Sequence, residues 1–159
     1  KILQLLYIIS QQVPFSPNLS DLARKTTIHR NSLNDYLYYL EEARLLYLLQ
    51  PQNYSVASLQ KPEKIYLNNT NLLYALSEDN PNSGTIREVF FYNQLAGLHQ
   101  ISQSKEADFL VDNKYTFEIG GKNKTMTQIK NVENSWLVKD DIIQPTGRAV
   151  PLWMFGFLY

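Results

Sequence analysis

The sequence predicts an α+β protein with a mixed sheet, because the spacing of its apolar residues changes along the chain. Up to about residue 50 they recur at helical spacing, whereas after residue 105 they alternate as in β-strands. The 159 residues, 44% of them hydrophobic, suffice for one large domain or two small ones. We therefore expect a helical first part and a second part in which helices precede a sheet.

The first part contains three predicted helices. Prolines at positions 14 and 17 end the first of them, because proline cannot continue a helix. A second, short helix is expected in NLSDLARKT, with Asn18 or Ser20 as its N-cap. After a tight turn the third begins at Asn31 or Ser32, and its inner face carries Leu33, Leu37 and Leu40. Two helices joined in this way describe a helix-turn-helix. A predicted β-hairpin follows directly, so we interpret residues 1–70 as a winged helix domain.

The second part, residues 71–159, begins with two predicted helices. The second of these, TIREVFFYNQLAGLH, is expected to turn Ile86, Val89 and Phe90 inward. Strands are then expected in ADFLV and YTFEI, which flank a three-residue hairpin turn, and in SWLVKDD. The aromatic end, VPLWMFGFLY, is expected to pack onto this sheet.

Composition excludes several classes of protein and site. Fifteen basic residues balance fifteen acidic ones, so no overall charge attracts nucleic acid or a membrane. The absence of cysteine excludes disulfides and thiolate metal sites. No apolar run approaches the roughly 20 residues that span a bilayer, and no signal-peptide pattern is present. We expect a cytoplasmic protein with no membrane partner. Because the chain opens within a helix, we also expect it to be a fragment of a longer one.

The hairpin brings two carboxylates together. If residues 112–114 form the turn, Asp108 lies opposite Glu118 on the neighbouring strand. Like charges facing each other across strands are destabilising unless something neutralises them. Mg²⁺ would do so, since hard cations take carboxylate oxygens, and so would Lys122 or Lys124 without a metal. A third interpretation is an exposed polar face that solvent screens.

A further carboxylate and a lysine complete a candidate catalytic set. A helix carboxylate such as Glu88, with a strand Asp and a Glu followed by a lysine, is used for metal-assisted phosphodiester cleavage. Glu88 also fits a capping box that begins at Thr85. The lysine is expected two residues after Glu118, where Gly120 stands. Lys122 would lie about 6.6 Å further along a regular strand, and the paired glycines leave its direction open.

Two segments are candidates for contact with nucleic acid. The start of a third helix is where a helix-turn-helix reads DNA, although the charges of residues 20–50 sum to zero. A winged helix that packs against other domains is therefore an equal alternative. The glycine-lysine loop is basic and could contact phosphate, or be a solvated loop. The candidate contacts are Arg30, Asn31 and Asn34 in the helix, and Lys122, Lys124 and Lys130 in the loop.

Several spaced segments resemble the C-terminal region of a large family of prokaryotic AAA+ ATPases. They are NSLNDYLYYLEEARLL, KPEKIYLNNTNLLYAL, GTIREVFFYNQL, ADFLVDNKYTFEIGGKNK and VPLWMFGFLY. Members of that family have an ATP-binding P-loop domain, then a winged helix, then a domain with a restriction-endonuclease-like fold. The resemblance implies that residues 71–159 have this last fold. It also implies that the ATPase domain is missing here, since the chain has no P-loop motif.

The same resemblance assigns site residues and shows two departures from the pattern. It places the helix glutamate at Glu88, the strand acid at Asp108 and the sheet glutamate at Glu118. Gly120 stands where many relatives have a lysine, and Asn69 stands where many have an acid. The resemblance thus implies a degenerate nuclease domain.

Three functions follow from these observations. The first is a non-catalytic module of an AAA+ ATPase that binds DNA or a protein under the control of its own ATPase domain. The second is a Mg²⁺-dependent nuclease with Lys122 as a displaced catalytic lysine. The third is a structural domain for assembly of an oligomeric ATPase, without nucleic acid.

Overall fold

A computed structural model describes residues 1–52 and 61–158, and the chain divides into two compact units. The first unit is Lys1–Pro81 and the second is Asn82–Tyr159. The protein is α+β with a mixed sheet, as predicted. Within the described residues no helix is long and apolar enough to cross a membrane.

The first unit contains four helices and two strands among its described residues. The helices are α1 (Ile2–Ser10), α2 (Leu19–Thr26), α3 (Arg30–Glu42) and α4 (Thr70–Leu76), and the strands are β1 (Leu46–Pro51) and β2 (Lys64–Leu67). The strands pair antiparallel, with Leu46 opposite Leu67. The three predicted helices and the two strands after them are therefore confirmed. The middle of the predicted hairpin loop, residues 53–60, lies outside the described residues.

Local chemistry explains where α2 and α3 begin and end. The side chain of Asn18 accepts the N–H groups of Ser20 and Asp21, so Asn18 is the N-cap of α2. Thr27 has a left-handed backbone (φ 53°) and ends that helix. The helix α3 starts earlier than predicted, because the ring nitrogen of His29, rather than a side chain at 31 or 32, accepts the first free N–H.

The core of the first unit lies along α3. Its buried side chains are Leu33, Leu37 and Leu40, the stripe predicted from helical spacing. The helix α4 also belongs to this unit, since Gln11 at the end of α1 donates to the carbonyl of Leu76 at 2.7 Å. The predicted boundary after residue 70 falls within α4, after its first residue, whereas the compact division follows Pro81.

The second unit is a five-stranded sheet with one α-helix. Strands β3 and β4, and β4 and β5, are antiparallel, whereas β5, β6 and β7 are parallel neighbours. The sheet is therefore mixed, in the order β3-β4-β5-β6-β7. The helix is α5 (Ser83–Leu95), the strands are β3 (Ile101–Gln103), β4 (Phe109–Val111), β5 (Tyr115–Gly120), β6 (Ser135–Lys139) and β7 (Ala149–Pro151), and short 3₁₀ helices lie at Met126–Ile129 and Leu152–Phe157.

The hairpin of β4 and β5 has the predicted register. Phe109 lies opposite Phe117, and the turn uses left-handed backbone at Asp112 and Asn113. In the core of the second unit, aromatic rings pack around Phe91 of α5.

The prediction of which side of α5 faces inward was only partly right. Val89 is buried, but Ile86 and Phe90 are partly exposed, and Phe91 is buried instead. Four consecutive residues from 89 to 92 are apolar or aromatic, so periodicity could not choose among them. The C-terminal segment also packs only in part, because Trp153 and Phe157 are exposed.

Candidate functional site

The candidate site in the second unit is built around Glu118. This residue lies on β5, between β4 and β6, and only 2% of its side chain is exposed. Its Oε1 forms an ion pair with Nζ of Lys124. Carboxylates are almost never buried without such a partner, so this pair is the central electrostatic feature of the sheet.

Asp108 lies next to Glu118, as the hairpin register implies. It immediately precedes β4, and the observed pairing of Phe109 with Phe117, continued by one residue, brings Asp108 opposite Glu118. Its Oδ2 accepts the backbone N–H of Ile119 at 2.8 Å. One oxygen of Asp108 is thus held by the neighbouring strand, which fixes the carboxylate at the end of the hairpin.

Lys124 reaches Glu118 because the chain turns back after β5. Its backbone N–H donates to the carbonyl of Gly121 at 3.0 Å, which closes a tight turn. A Cβ placed on Gly120 would lie 2.4 Å from Cβ of Lys124 and 2.5 Å from its Cγ. The Lys124 side chain therefore occupies the space that a side chain at position 120 would need.

Lys122 has a different environment. It is exposed, as is Lys130, and the ion pair with Glu118 belongs to Lys124. Strand parity pointed to Lys122, because residues two apart share a strand face. The strand does not continue to Lys122, because the chain makes a tight turn from Gly121 to Lys124, so the alternation of strand faces no longer applies. In the sequence, only the glycine pair followed by a short polar segment indicated this turn.

The charges of four side chains influence one another. Burial raises the pKa of Glu118, Lys124 opposes this rise, and the negative charge of Asp108 adds to it. The hydrogen bond to Glu118 raises the pKa of Lys124, and the charges of Glu118, Asp108 and Glu88 act in the same direction. The raised pKa of Lys124 favours its protonated form, so that an ionised Glu118 and Lys124 form an ion pair.

Glu88 on α5 has no capping role of the predicted kind. The N-cap of α5 is Asn82, whose side chain accepts the N–H of Gly84 at 2.7 Å. Thr85 lies inside the helix and is buried, so the predicted capping box from Thr85 to Glu88 is wrong. The helix starts earlier than predicted because Asn82 supplies the acceptor first.

The arrangement does not fit a resident divalent metal. Within residues 1–52 and 61–158, no group of three or more His, Cys, Asp or Glu is placed to hold one. Glu118 Oε1 is paired with Lys124, and Asp108 Oδ2 accepts a backbone N–H. Glu118 Oε2 is buried and has no hydrogen-bond partner among the described residues. A metal would therefore have to compete with the ammonium of Lys124.

Asn69, in the first unit, has a structural role. Its side-chain oxygen accepts the N–H of Leu72 at 3.2 Å and caps α4. Asparagine and aspartate serve equally well as N-caps, so the amide at this position keeps the cap without adding a negative charge.

The nucleic-acid candidates of the first unit share one groove. It has a volume of about 840 Å³ and lies where α2 and α3 begin. Arg30, Asn31 and Asn34 line it together with Lys61, and none of the described residues of its lining is a carboxylate. The groove is therefore a locally basic and amide-rich surface on a chain of zero net charge.

Comparison with known proteins identifies the first unit but not an activity. No curated protein and no solved structure matches the chain. The model of a family described as a domain of unknown function (DUF8612) matches residues 1–83, just over half of the 159 residues. These residues include the whole first unit with its groove. The chain therefore belongs to the DUF8612 family, whose function is unknown.

Proposed function

We propose that this chain is a DNA-binding module without nuclease activity, and that it forms the C-terminal part of an AAA+ ATPase that controls it. The first unit would be a winged helix-turn-helix and the second a degenerate restriction-endonuclease-like domain. Supporting the first assignment, α2 and α3 are joined by a turn with left-handed Thr27 and are followed by the β1–β2 pair. Supporting the second, a helix precedes a mixed sheet in which Glu118 lies on β5 and Asp108 immediately precedes the adjacent strand β4.

The groove at the start of α3 carries the proposal. Helix-turn-helix proteins read DNA with residues at the start of this helix, where Arg30 and Asn34 lie. Arginine pairs with guanine and asparagine with adenine through two hydrogen bonds each in the major groove. Lys61 adds a second positive charge for phosphate contact. The local charge thus favours DNA although the net charge of the chain does not.

We expect the chain to bind duplex DNA with an affinity that falls as salt rises, and Arg30→Ala to weaken this binding. The expected loss is roughly 5- to 140-fold, because a lost base or phosphate contact costs about 1–3 kcal/mol. Fluorescence anisotropy of a labelled duplex over a salt series measures both the affinity and its salt dependence.

Arg24→Ala is the charge-matched control for this experiment. Arg24 is 79% exposed on α2, pairs with Asp21 and lies outside the groove lining. We expect its removal to change the affinity by less than about twofold, because Arg24 lies outside the groove lining. The fold should also be unaffected, since an exposed ion pair contributes little to stability. Equal losses for Arg30→Ala and Arg24→Ala would refute a specific groove contact. A chain that binds no duplex even at low salt would favour the structural assembly role.

A second candidate, a Mg²⁺-dependent nuclease, is favoured by one observation. Lys124 lies where a lysine at position 120 would project, close to Glu118, with Asp108 and Glu88 in the same electrostatic environment. Such a lysine could help to orient an attacking water. Against this candidate, the described residues offer no group of three ligands for a metal.

We therefore expect no cleavage of single- or double-stranded DNA with Mg²⁺ or Mn²⁺. Catalysis requires tightly positioned groups, and Lys124 is committed to Glu118 Oε1. A gel assay with the unchanged chain tests this. Metal-dependent cleavage that disappears in both Glu118→Gln and Lys124→Met, but persists in Lys122→Met, would make the nuclease the leading function.

A further inference from the structure

We propose that Lys124 is a built-in cation that takes the place of a divalent metal beside Glu118 and Asp108. In this arrangement the second unit keeps two neighbouring carboxylates in its sheet and needs no metal ion to neutralise them. The inference concerns the second unit alone and does not depend on DNA binding by the first.

The first step is that these carboxylates need a cation. Glu118 is 98% buried on a central strand, and Asp108 lies opposite it, immediately before the adjacent strand β4. Like charges across a strand pair repel each other, and a buried carboxylate loses its solvation. An opposite charge at this point is therefore a condition for a stable sheet in which both groups are ionised.

The second step is that the Lys124 side chain fills the space beside Gly120 through which a cation reaches Glu118. Its Cβ and Cγ lie over Gly120, closer to a hypothetical Cβ there than real Cβ contacts allow. A lysine at position 120 and the present course of Lys124 thus exclude each other. The turn Gly121–Lys124 brings Lys124 back over the strand, and the glycine at position 120 leaves room for its side chain. Both are needed for the ammonium of Lys124 to reach Glu118.

The third step is that the ammonium excludes a metal. A divalent cation at the pair would use Glu118 Oε1, which Lys124 holds, and would lie beside a positive charge. The other oxygen, Oε2, is buried and unpartnered within the part of the chain that the structure describes. Removing the ammonium would leave both oxygens of Glu118 without a cation, beside the Asp108 carboxylate, of which Oδ2 also accepts the N–H of Ile119. The side chain of Lys124 alone therefore keeps a metal ion from Glu118.

Mn²⁺ titrations of the whole chain test this inference. Free Mn²⁺, followed by electron paramagnetic resonance, is compared for the unchanged protein, Lys124→Met, Lys122→Met and the double variant Lys124→Met/Glu118→Gln. Lys122→Met is the matched control, because it removes the same charge two residues away at an exposed position. We expect Lys124→Met alone to gain a saturable site, with an apparent affinity at least about tenfold above that of the unchanged protein. The double variant is expected to lose that gain.

Three results would overturn the inference. The first is saturable Mn²⁺ binding by the unchanged protein that Glu118→Gln abolishes, because a metal would then already share the site with Lys124. The second is a folded Lys124→Met variant that gains no Mn²⁺ binding.

The third result concerns stability and applies if Lys124→Met does not fold. The double variant must then be the more stable of the two in thermal denaturation, since Glu118→Gln removes the unpaired buried charge. A double variant no more stable than the single one would show that the pair is not coupled.

Discussion

Replacing Phe91 with alanine is expected to lower the free energy of unfolding of the second unit by about 3–5 kcal/mol. Phe91 is fully buried on α5. Its ring centroid lies 5.3 Å from that of Phe109, 5.1 Å from that of Phe117 and 4.8 Å from that of Phe155. The substitution therefore leaves a cavity and removes three aromatic contacts from two strands and the C-terminal 3₁₀ helix.

Tryptophan fluorescence during chemical denaturation measures this loss. Both tryptophans, Trp136 and Trp153, lie in the second unit, so the signal reports on it. Phe157→Ala is the control, because it makes the same substitution at a side chain that is 65% exposed. A loss below about 1 kcal/mol for Phe91→Ala, or equal losses for both variants, would contradict the observed core.

Leu37→Ala is expected to destabilise the first unit by about 2–5 kcal/mol, again through a core cavity. Leu37 is 1% exposed at the centre of the buried stripe of α3, and Leu40→Ala should have a similar effect. Far-UV circular dichroism is the suitable readout, since this unit holds α1 to α4. Tyr38→Ala, at a neighbouring position that is 53% exposed, should cost far less. If both variants unfold at the same denaturant concentration as the unchanged chain, the stripe is not buried.

Elements with a clear local pattern were predictable from the sequence. The stripe of α3 follows from apolar residues three and four apart, which share one face of any helix. The register of β4 and β5 follows from a short polar turn between two alternating segments, since turn length sets which residues face each other. That Asp108 and Glu118 lie next to each other follows directly from that register. Each of these inferences depends on residues that are close in the chain.

Other features depended on competition between local alternatives. The sequence offered Thr85 as a cap for α5, but Asn82 is the cap, because the first suitable acceptor starts the helix. It favoured Phe90 over Phe91, but both fit an apolar stretch, and only the sheet against which α5 packs decides which ring is buried. The helix α4 lies in the first unit because Gln11, at the end of α1, bonds to it.

The identity of the cation at Glu118 shows where sequence reasoning ends. The chain alone implied that two carboxylates face each other and that a lysine from the loop could neutralise them. It could not decide between Lys122 and Lys124, because that choice depends on how the chain turns after Gly120 and on the space at that glycine, which the Lys124 side chain fills. Turn geometry and steric room are properties of the folded backbone. Periodicity therefore defines the strand that carries Glu118, whereas close packing selects the lysine that pairs with it.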